Sequence, residues 1–211
     1  MKNYRKLRNS MFLFRTCAAK LVAIIALMTL GMTEAPAGMI MFTHEGNGSG
    51  TLADNPFPVS HFVITAVGDT GDRASFLSGW SIDHSWVAIS IDGVGDFEFL
   101  TGTRTFVVNY GMVGFSRAGI NGTDMFDGPT DAQFATWDML GPIGPISGLG
   151  SLFQWAYAPL IDTTGGILKF DSSYNINATF TAVPEPGTIL MFGLGALIVR
   201  RKCVKTACKN F

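Results

Sequence analysis

The sequence predicts an all-β central domain, an antiparallel β-sandwich or jelly roll with one short helix, between two apolar terminal segments. Three observations predict this architecture. Several stretches within residues 38–183 alternate between apolar and polar side chains with period two. The same region holds 21 of the 25 glycines and all four tryptophans, a composition typical of short strands joined by turns. The chain is 47% hydrophobic and only 15% charged, and an apolar run of 12 residues lies near each end.

The first half of the central region predicts three strands. Residues 61–67 alternate, and residues 80–86 do so again before the parity switches at Ile89, which predicts a β-bulge between Trp86 and Ile89. Asp92-Gly93 is a hairpin turn signal, and alternation resumes beyond it over residues 96–99.

The second half predicts four more strands, over residues 105–113, 152–157, 167–170 and 175–181. Because such strands can each bury one face only against another sheet, their number and spacing favour a two-sheet sandwich.

One segment breaks the strand pattern and predicts a helix of two or three turns. Thr130-Asp131-Ala132-Gln133 has the spacing of a capping box, and apolar residues then recur every three positions up to Leu140. Gly141-Pro142 ends the predicted helix and begins a stiff loop that extends to Pro145.

The N-terminus has the order of a secretory signal peptide. Residues 1–20 carry six Lys and Arg, residues 21–32 are apolar, and Ala35-Pro36-Ala37 follows as a small-residue site. A run of 12 residues rises only ~18 Å as a helix, against ~30 Å of hydrocarbon, so a retained membrane helix is the weaker alternative. Signal peptidase is therefore expected to remove residues 1–37 after reading Ala35 and Ala37.

The C-terminus predicts a second membrane segment. The prolines of Pro184-Glu185-Pro186 prevent a continuous helix, residues 188–199 form an apolar run, and Arg200-Arg201-Lys202 is a basic membrane stop on the cytoplasmic side. A transmembrane helix this short is expected to be a weak, removable tether. The alternative is a permanent C-terminal anchor.

These three elements, in this order, resemble the C-terminal sorting signal of PEP-CTERM proteins. The resemblance covers residues 183–202 and defines a signal region over 183–211, which leaves 38–182 as an exported ectodomain. The family comprises exported proteins of Gram-negative bacteria that make exopolysaccharide, and an exosortase is thought to recognise the signal. The resemblance implies that Pro184, Glu185 and Pro186 are the recognised substrate and that catalysis belongs to the exosortase.

Charge and cysteine content agree with export. Residues 38–183 contain four Lys and Arg against 14 Asp and Glu, a net charge of −10 that disfavours nucleic acid as a partner. Cys17, Cys203 and Cys208 all lie outside this region. The ectodomain is therefore expected to be held by its hydrophobic core without disulfides.

Catalytic motifs are scarce. His44, His61 and His84 lie in separate segments without the paired spacing of a zinc site, and no GxSxG motif occurs. Asp96 and Glu98, two apart on a predicted strand, share a face about 7 Å apart, which is within the range of glycosidase carboxylates. Solvated acidic side chains on a strand are the plainer interpretation.

Calcium is the only cofactor that the sequence suggests. Calcium takes six to eight oxygen ligands, which acidic loops can supply. The alternative is that both acidic groups are simply solvated. The two candidate groups are Asp92, Asp96 and Glu98 around the predicted hairpin, and Asp124, Asp127 and Asp131 before the predicted helix.

Large aromatic residues have two interpretations. They could stack against sugars if they lie exposed on one face, or they could fill the interior of the sandwich, which is the more frequent use of alternating aromatics. The residues concerned are Trp80, Trp86, Trp137, Trp155 and Tyr157.

Together these observations predict an exported, non-enzymatic protein with a structural or adhesive role at the cell surface or in the exopolysaccharide matrix. Its expected partners are signal peptidase, an exosortase, the inner membrane transiently, and exopolysaccharide. The alternatives are a secreted enzyme that acts on polysaccharide through carboxylates, and a permanently anchored carbohydrate-binding module.

Overall fold

The computed structural model describes residues 38–119 and 123–184, which form twelve β-strands and three 3₁₀ turns. The predicted signal peptide and C-terminal transmembrane helix lie outside these residues. No helix in the described part is long and apolar enough to cross a membrane. The strands are β1 (Met39–Leu52), β2 (Asn55–Asp69), β3 (Ala74–Phe76), β4 (Gly79–Ile91), β5 (Gly95–Glu98), β6 (Thr103–Val108), β7 (Met112–Arg117), β8 (Asp124–Thr130), β9 (Ile143–Ser151), β10 (Ile161–Thr163), β11 (Gly166–Phe170) and β12 (Tyr174–Pro184).

The sheet closes into an antiparallel barrel of eight strands, so the prediction of a sandwich is wrong. The strand order is β1-β12-β9-β8-β7-β6-β4-β2, and β2 returns to pair with β1. Closure allows one curved sheet to bury its inner face against itself, and it removes the free edges that a sandwich leaves. Strand β11 extends from β1 and carries β10, while β3 and β5 pair with β4.

The barrel interior is rich in phenylalanine. Glycines in β1 make room for these rings: a Cβ at Gly46 would lie 2.7 Å from Phe62, and a Cβ at Gly48 would lie 2.7 Å from Phe170. Removing so much aromatic surface from water is the main stabilising contribution that the described residues offer. The fully buried rings are those of Phe42, Phe62, Phe115, Phe126, Phe134, Phe170 and Phe180.

Several local predictions are confirmed. The inward positions of β2 alternate as expected through Phe62, Ile64 and Ala66. The turn at Asp92-Gly93 joins β4 to β5, with the Val94 N–H donating to the Ile91 carbonyl. The bulge predicted between Trp86 and Ile89 is wrong in position, because β4 pairs regularly there and its irregularity falls at Ser85, which turns Trp86 to the outside.

Other local predictions are wrong. The predicted strand over 105–113 is a hairpin of β6 and β7, because the chain reverses at 109–111. The predicted strand over 152–157 contains the 3₁₀ turn Trp155–Tyr157 instead. The loop predicted at 141–145 contains the start of β9.

The predicted helix is a single 3₁₀ turn, Ala132–Ala135. Its N-terminus is capped by Asp131 rather than Thr130, since the Asp131 carboxylate accepts the Gln133 N–H at 2.8 Å. Asp131 therefore already has a structural role.

The two ends of the barrel can be named by the chain segments that they carry. At the exit end, β1 begins and β12 ends, since Ile40 pairs with Pro184. At the far end, β1 turns into β2 and β9 leads toward β10, with Ser151 paired to Tyr174 at the start of β12. Strand β12 runs the full length between them, and its 11 residues span ~33 Å.

Candidate functional site

The first residue of the predicted sorting motif belongs to the barrel. Pro184 is the last residue of β12 and pairs with Ile40 of β1. Only residues 185–187 separate it from the apolar run at 188. Ala35, Ala37, Glu185, Pro186, Arg200, Arg201 and Lys202 lie outside the described residues.

The described part of the chain begins and ends at this same end of the barrel. Met39 at the start of β1 pairs with Asp69 at the end of β2, beside the partner strand that carries Pro184. The exit end also exposes apolar side chains on neighbouring turns, with Leu77 fully exposed and Tyr110 67% exposed. The exit end thus combines the first residue of the predicted sorting motif with exposed apolar side chains.

Two histidines that are 40 residues apart in sequence meet inside the barrel. His44 Nε2 lies 3.0 Å and His84 Nε2 lies 2.9 Å from Thr105 Oγ1, and His84 Nδ1 lies 3.0 Å from Thr103 Oγ1. A hydroxyl has one proton and two lone pairs, so Thr105 donates to at most one of the two rings and accepts from at least one. His44 Nδ1 is buried without a partner.

Burial keeps this histidine pair neutral. It lowers the pKa of His44 from 6.5 to about 3. Burial, and secondarily the neighbouring His44, lowers the pKa of His84 well below 6.5. Phe115 and Phe180 cover His44, with ring centroids 5.7 and 4.8 Å away. We interpret the pair as a dry polar crosslink between β1, β4 and β6.

One acidic group forms a close pair but not the predicted trio. Burial raises the pKa of Asp127 to about 6, with Asp124 contributing further. Burial also raises the pKa of Asp124, although Arg104 opposes that shift. One oxygen of Asp127 is buried without a hydrogen-bond partner. Asp131 is instead the cap of the 3₁₀ turn.

The other acidic group lies on the surface hairpin. Asp92, Asp96 and Glu98 are exposed on the β4–β5 hairpin. His61 lies 3.9 Å from Asp92 and 3.7 Å from Glu45 through its two different ring nitrogens. Among residues 38–119 and 123–184, no three His, Cys, Asp or Glu side chains converge to hold a metal ion. The structure therefore assembles neither predicted calcium trio.

The predicted aromatic residues divide between interior and surface. Trp137 and Trp155 are buried, whereas Trp86 is 44% and Tyr157 73% exposed. Trp80 is partly buried beneath Arg73, whose guanidinium carbon lies 4.0 Å from the ring centroid.

Two further exposed aromatic residues, which the sequence did not single out, lie near Tyr157. Phe153 is 40% and Tyr174 60% exposed, and both lie at the far end. Phe153 packs against both tyrosines, with ring centroids 5.6 Å from Tyr157 and 5.0 Å from Tyr174. We call Phe153, Tyr157 and Tyr174 the far-end aromatic cluster. The sequence signal for Phe153 is the alternation of aromatic residues at 153, 155 and 157, but that pattern predicts a strand, which would not bring Phe153 and Tyr157 together as the 3₁₀ turn does.

Residues 182–202 match the family model of the PEP-CTERM protein-sorting motif. The matched segment begins inside β12 and includes residues 183–202, which carry the resemblance described from the sequence. The motif implies that the chain is exported and that an exosortase processes it at a membrane. Neither the curated proteins nor the solved structures provide a match to this chain.

Proposed function

We propose that this protein is a non-enzymatic structural or adhesive component of the cell surface or exopolysaccharide matrix of a Gram-negative bacterium. Signal peptidase would remove residues 1–37, and residues 188–199 would tether the barrel until an exosortase releases it. The observation that carries the proposal is the direct continuity of β12 with the sorting motif at 182–202. With only residues 185–187 between Pro184 and the apolar run, the recognised motif would lie between the folded barrel and the bilayer.

The surface carboxylates support a non-enzymatic role. Asp96 and Glu98 share the exposed face of β5, and their partners on β4 are Ser90 and Ala88. Both cross-strand neighbours are small, so β4 supplies no aromatic wall beside the two carboxylates. A glycosidase holds its carboxylates on either side of a bound sugar, which an exposed hairpin with small neighbours does not provide.

The sorting step can be tested without disturbing the barrel. Pro184 should be kept because it pairs with Ile40, so the informative variant is Glu185→Ala with Pro186→Ala. In a host with an exosortase, we expect this double variant to lose its signal peptide normally but to stay in the inner membrane. Cell fractionation with mass spectrometry of both termini provides the measurement.

Tyr110→Ala, an exposed change at the same end of the barrel, is the matched control and should be released like the unaltered protein. Normal release of the double variant would contradict the sorting assignment. Detection of residues 188–211 on the protein recovered from the cell surface would instead favour a permanently anchored binding module.

A further inference from the structure

The far-end aromatic cluster is presented on a rigid support. Trp155 lies between Phe153 and Tyr157 in sequence but points inward, where it is 1% exposed and packs 4.8 Å from the Phe170 centroid. This buried anchor fixes the turn that carries its exposed neighbours. An aromatic surface held in place loses little conformational entropy when a ligand binds.

Polar groups with unused hydrogen-bonding capacity lie beside the cluster. Ser151 pairs with Tyr174 on one side and with Asp127 on the other, which places Asp127 on the neighbouring strand of the same outer face. Asp127 Oδ1 and the Ser173 hydroxyl are buried without hydrogen-bond partners, whereas Asp127 as a whole is only half-buried. The second carboxylate oxygen of Asp127, Oδ2, is therefore the acceptor that remains for a ligand.

We propose that the far-end aromatic cluster, together with Asp127, binds an uncharged polysaccharide. The proposal rests on the proposed function and adds its ligand class and its site. Sugar rings have apolar C–H faces that would stack on Tyr157 and Tyr174, while their hydroxyls would donate to the Asp127 carboxylate. Phe153 packs against both tyrosines, so the three rings form one continuous aromatic surface on which a sugar ring can stack.

Charge and position favour this ligand over the alternatives. The net charge of −10 over residues 38–183 repels polyanions. A bilayer is disfavoured because Tyr174 begins β12 while Pro184 ends it, so the cluster lies ~33 Å from the point where the membrane tether starts. The exposed hydroxyls of two tyrosines also suit a hydrated polymer better than a hydrocarbon interior.

The test is affinity electrophoresis of the full-length chain in detergent, through native gels that contain a soluble polymer. The uncharged probes are dextran, laminarin and hydroxyethylcellulose, and alginate is the anionic probe. We expect at least one uncharged polymer to retard the protein. Tyr157→Ala with Tyr174→Ala should weaken that retardation about tenfold or more, because two stacking contacts are lost.

Three variants sharpen the test. Tyr157→Phe with Tyr174→Phe keeps both rings and should retain most of the binding, and Asp127→Asn should weaken it. Tyr110→Ala removes an equally exposed tyrosine at the exit end and should leave binding unchanged. Glu185→Ala with Pro186→Ala should also bind normally, so failure of sorting and failure of binding are separable.

Three results would overturn the proposal. These are no retardation by any of the three uncharged polymers, retardation that survives the double alanine substitution, and stronger retardation by alginate than by any uncharged polymer. Cosedimentation of the released, tether-free protein with phosphatidylethanolamine and phosphatidylglycerol vesicles, abolished by Tyr157→Ala with Tyr174→Ala, would assign the cluster to a membrane and contradict it as well.

Discussion

A buried tryptophan packs into the barrel at each end, but the two ends differ in whether the indole N–H has a hydrogen-bond partner. At the exit end, Trp137 packs 5.6 Å from the Phe180 centroid and its indole N–H donates to the Gly141 carbonyl. At the far end, Trp155 packs against Phe170, and its indole N–H is buried without a partner. We call Trp137 the exit-end plug and Trp155 the far-end plug. Both bury an indole ring, but only the far-end plug leaves its N–H without a hydrogen bond, which costs free energy.

Unpartnered polar atoms concentrate at the far end. Of the four buried side-chain polar atoms without a partner in the described residues, three lie near that end, in Asp127, Trp155 and Ser173. The exit end, which is bound to the sorting motif through Pro184, has none of the four. Under the proposed function, the exit end serves attachment and the far end carries the ligand site.

The largest expected effect is on the protonation of His44, which reports whether the two ends keep water out of the barrel. The pKa of His44 is about 3 in the folded protein against 6.5 for a free histidine. Protonating His44 is therefore about 5 kcal/mol less favourable in the folded state than in the unfolded state. Since this folded-state pKa is lowered, the unfolded state binds more protons below pH 6.5, and stability falls as the pH drops from 6.5 toward 3. NMR titration should find the His44 ring neutral at pH 5, with His61→Gln and His84→Gln used for assignment.

Two carboxyls act in the opposite direction. The raised pKa of Asp127, about 6, means that the folded state binds more protons between pH 3.8 and 6, so falling pH stabilises it through this group. Asp124 acts likewise. Titration of the His44 ring therefore reports water entry more directly than the pH dependence of overall stability, to which the two carboxyls also contribute. A His44 that titrates near pH 6.5 would show that water enters through one of the ends.

The next largest effect compares the two plugs directly. Trp137→Ala and Trp155→Ala should each lower the free energy of unfolding by about 3–5 kcal/mol, because each removes a buried ring. Urea unfolding followed by circular dichroism measures both. Trp86→Ala, which removes a 44% exposed ring from the outer wall, is the control and should cost less. If either plug variant costs no more than this control, that end of the barrel is not closed.

A smaller expected effect is the difference in stability that the indole N–H groups of the two plugs contribute. Trp137→Phe breaks the bond to Gly141, whereas Trp155→Phe removes an indole N–H that has no partner. We expect Trp155→Phe to be less destabilising than Trp137→Phe by about 1–2 kcal/mol, measured by the same urea unfolding. Equal costs, or the reverse order, would mean that the far-end indole is satisfied in solution.

Local pattern predicted the strands whose inward positions carry large side chains. The alternation of Phe62, Ile64 and Ala66 in β2 and the Asp92-Gly93 turn both occur as expected. Strand β1 was missed because its inward positions include Gly46 and Gly48, which resemble turn residues in a sequence. In the fold, the rings of Phe62 and Phe170 occupy the space beside those glycines.

Closure of the barrel and the far-end site depend on contacts that are distant in sequence. The pairing of β1 with β12 joins Ile40 to Pro184, and no local pattern distinguishes that ladder from a sandwich edge. Phe153, Trp155 and Tyr157 alternate in sequence, yet only Trp155 is buried. Which aromatic residues remain exposed was set by the 3₁₀ turn, where the sequence had predicted a strand.

The most direct test of the two-ended arrangement is the distance of each end from a membrane. In a full-length chain with Cys17, Cys203 and Cys208 replaced by serine, a fluorophore at Leu77→Cys reports the exit end and one at Leu160→Cys the far end, both exposed positions. After reconstitution into nanodiscs with nitroxide lipids, we predict strong quenching at the exit end and little at the far end. Equal quenching at both positions, or stronger quenching at the far end, would contradict the account.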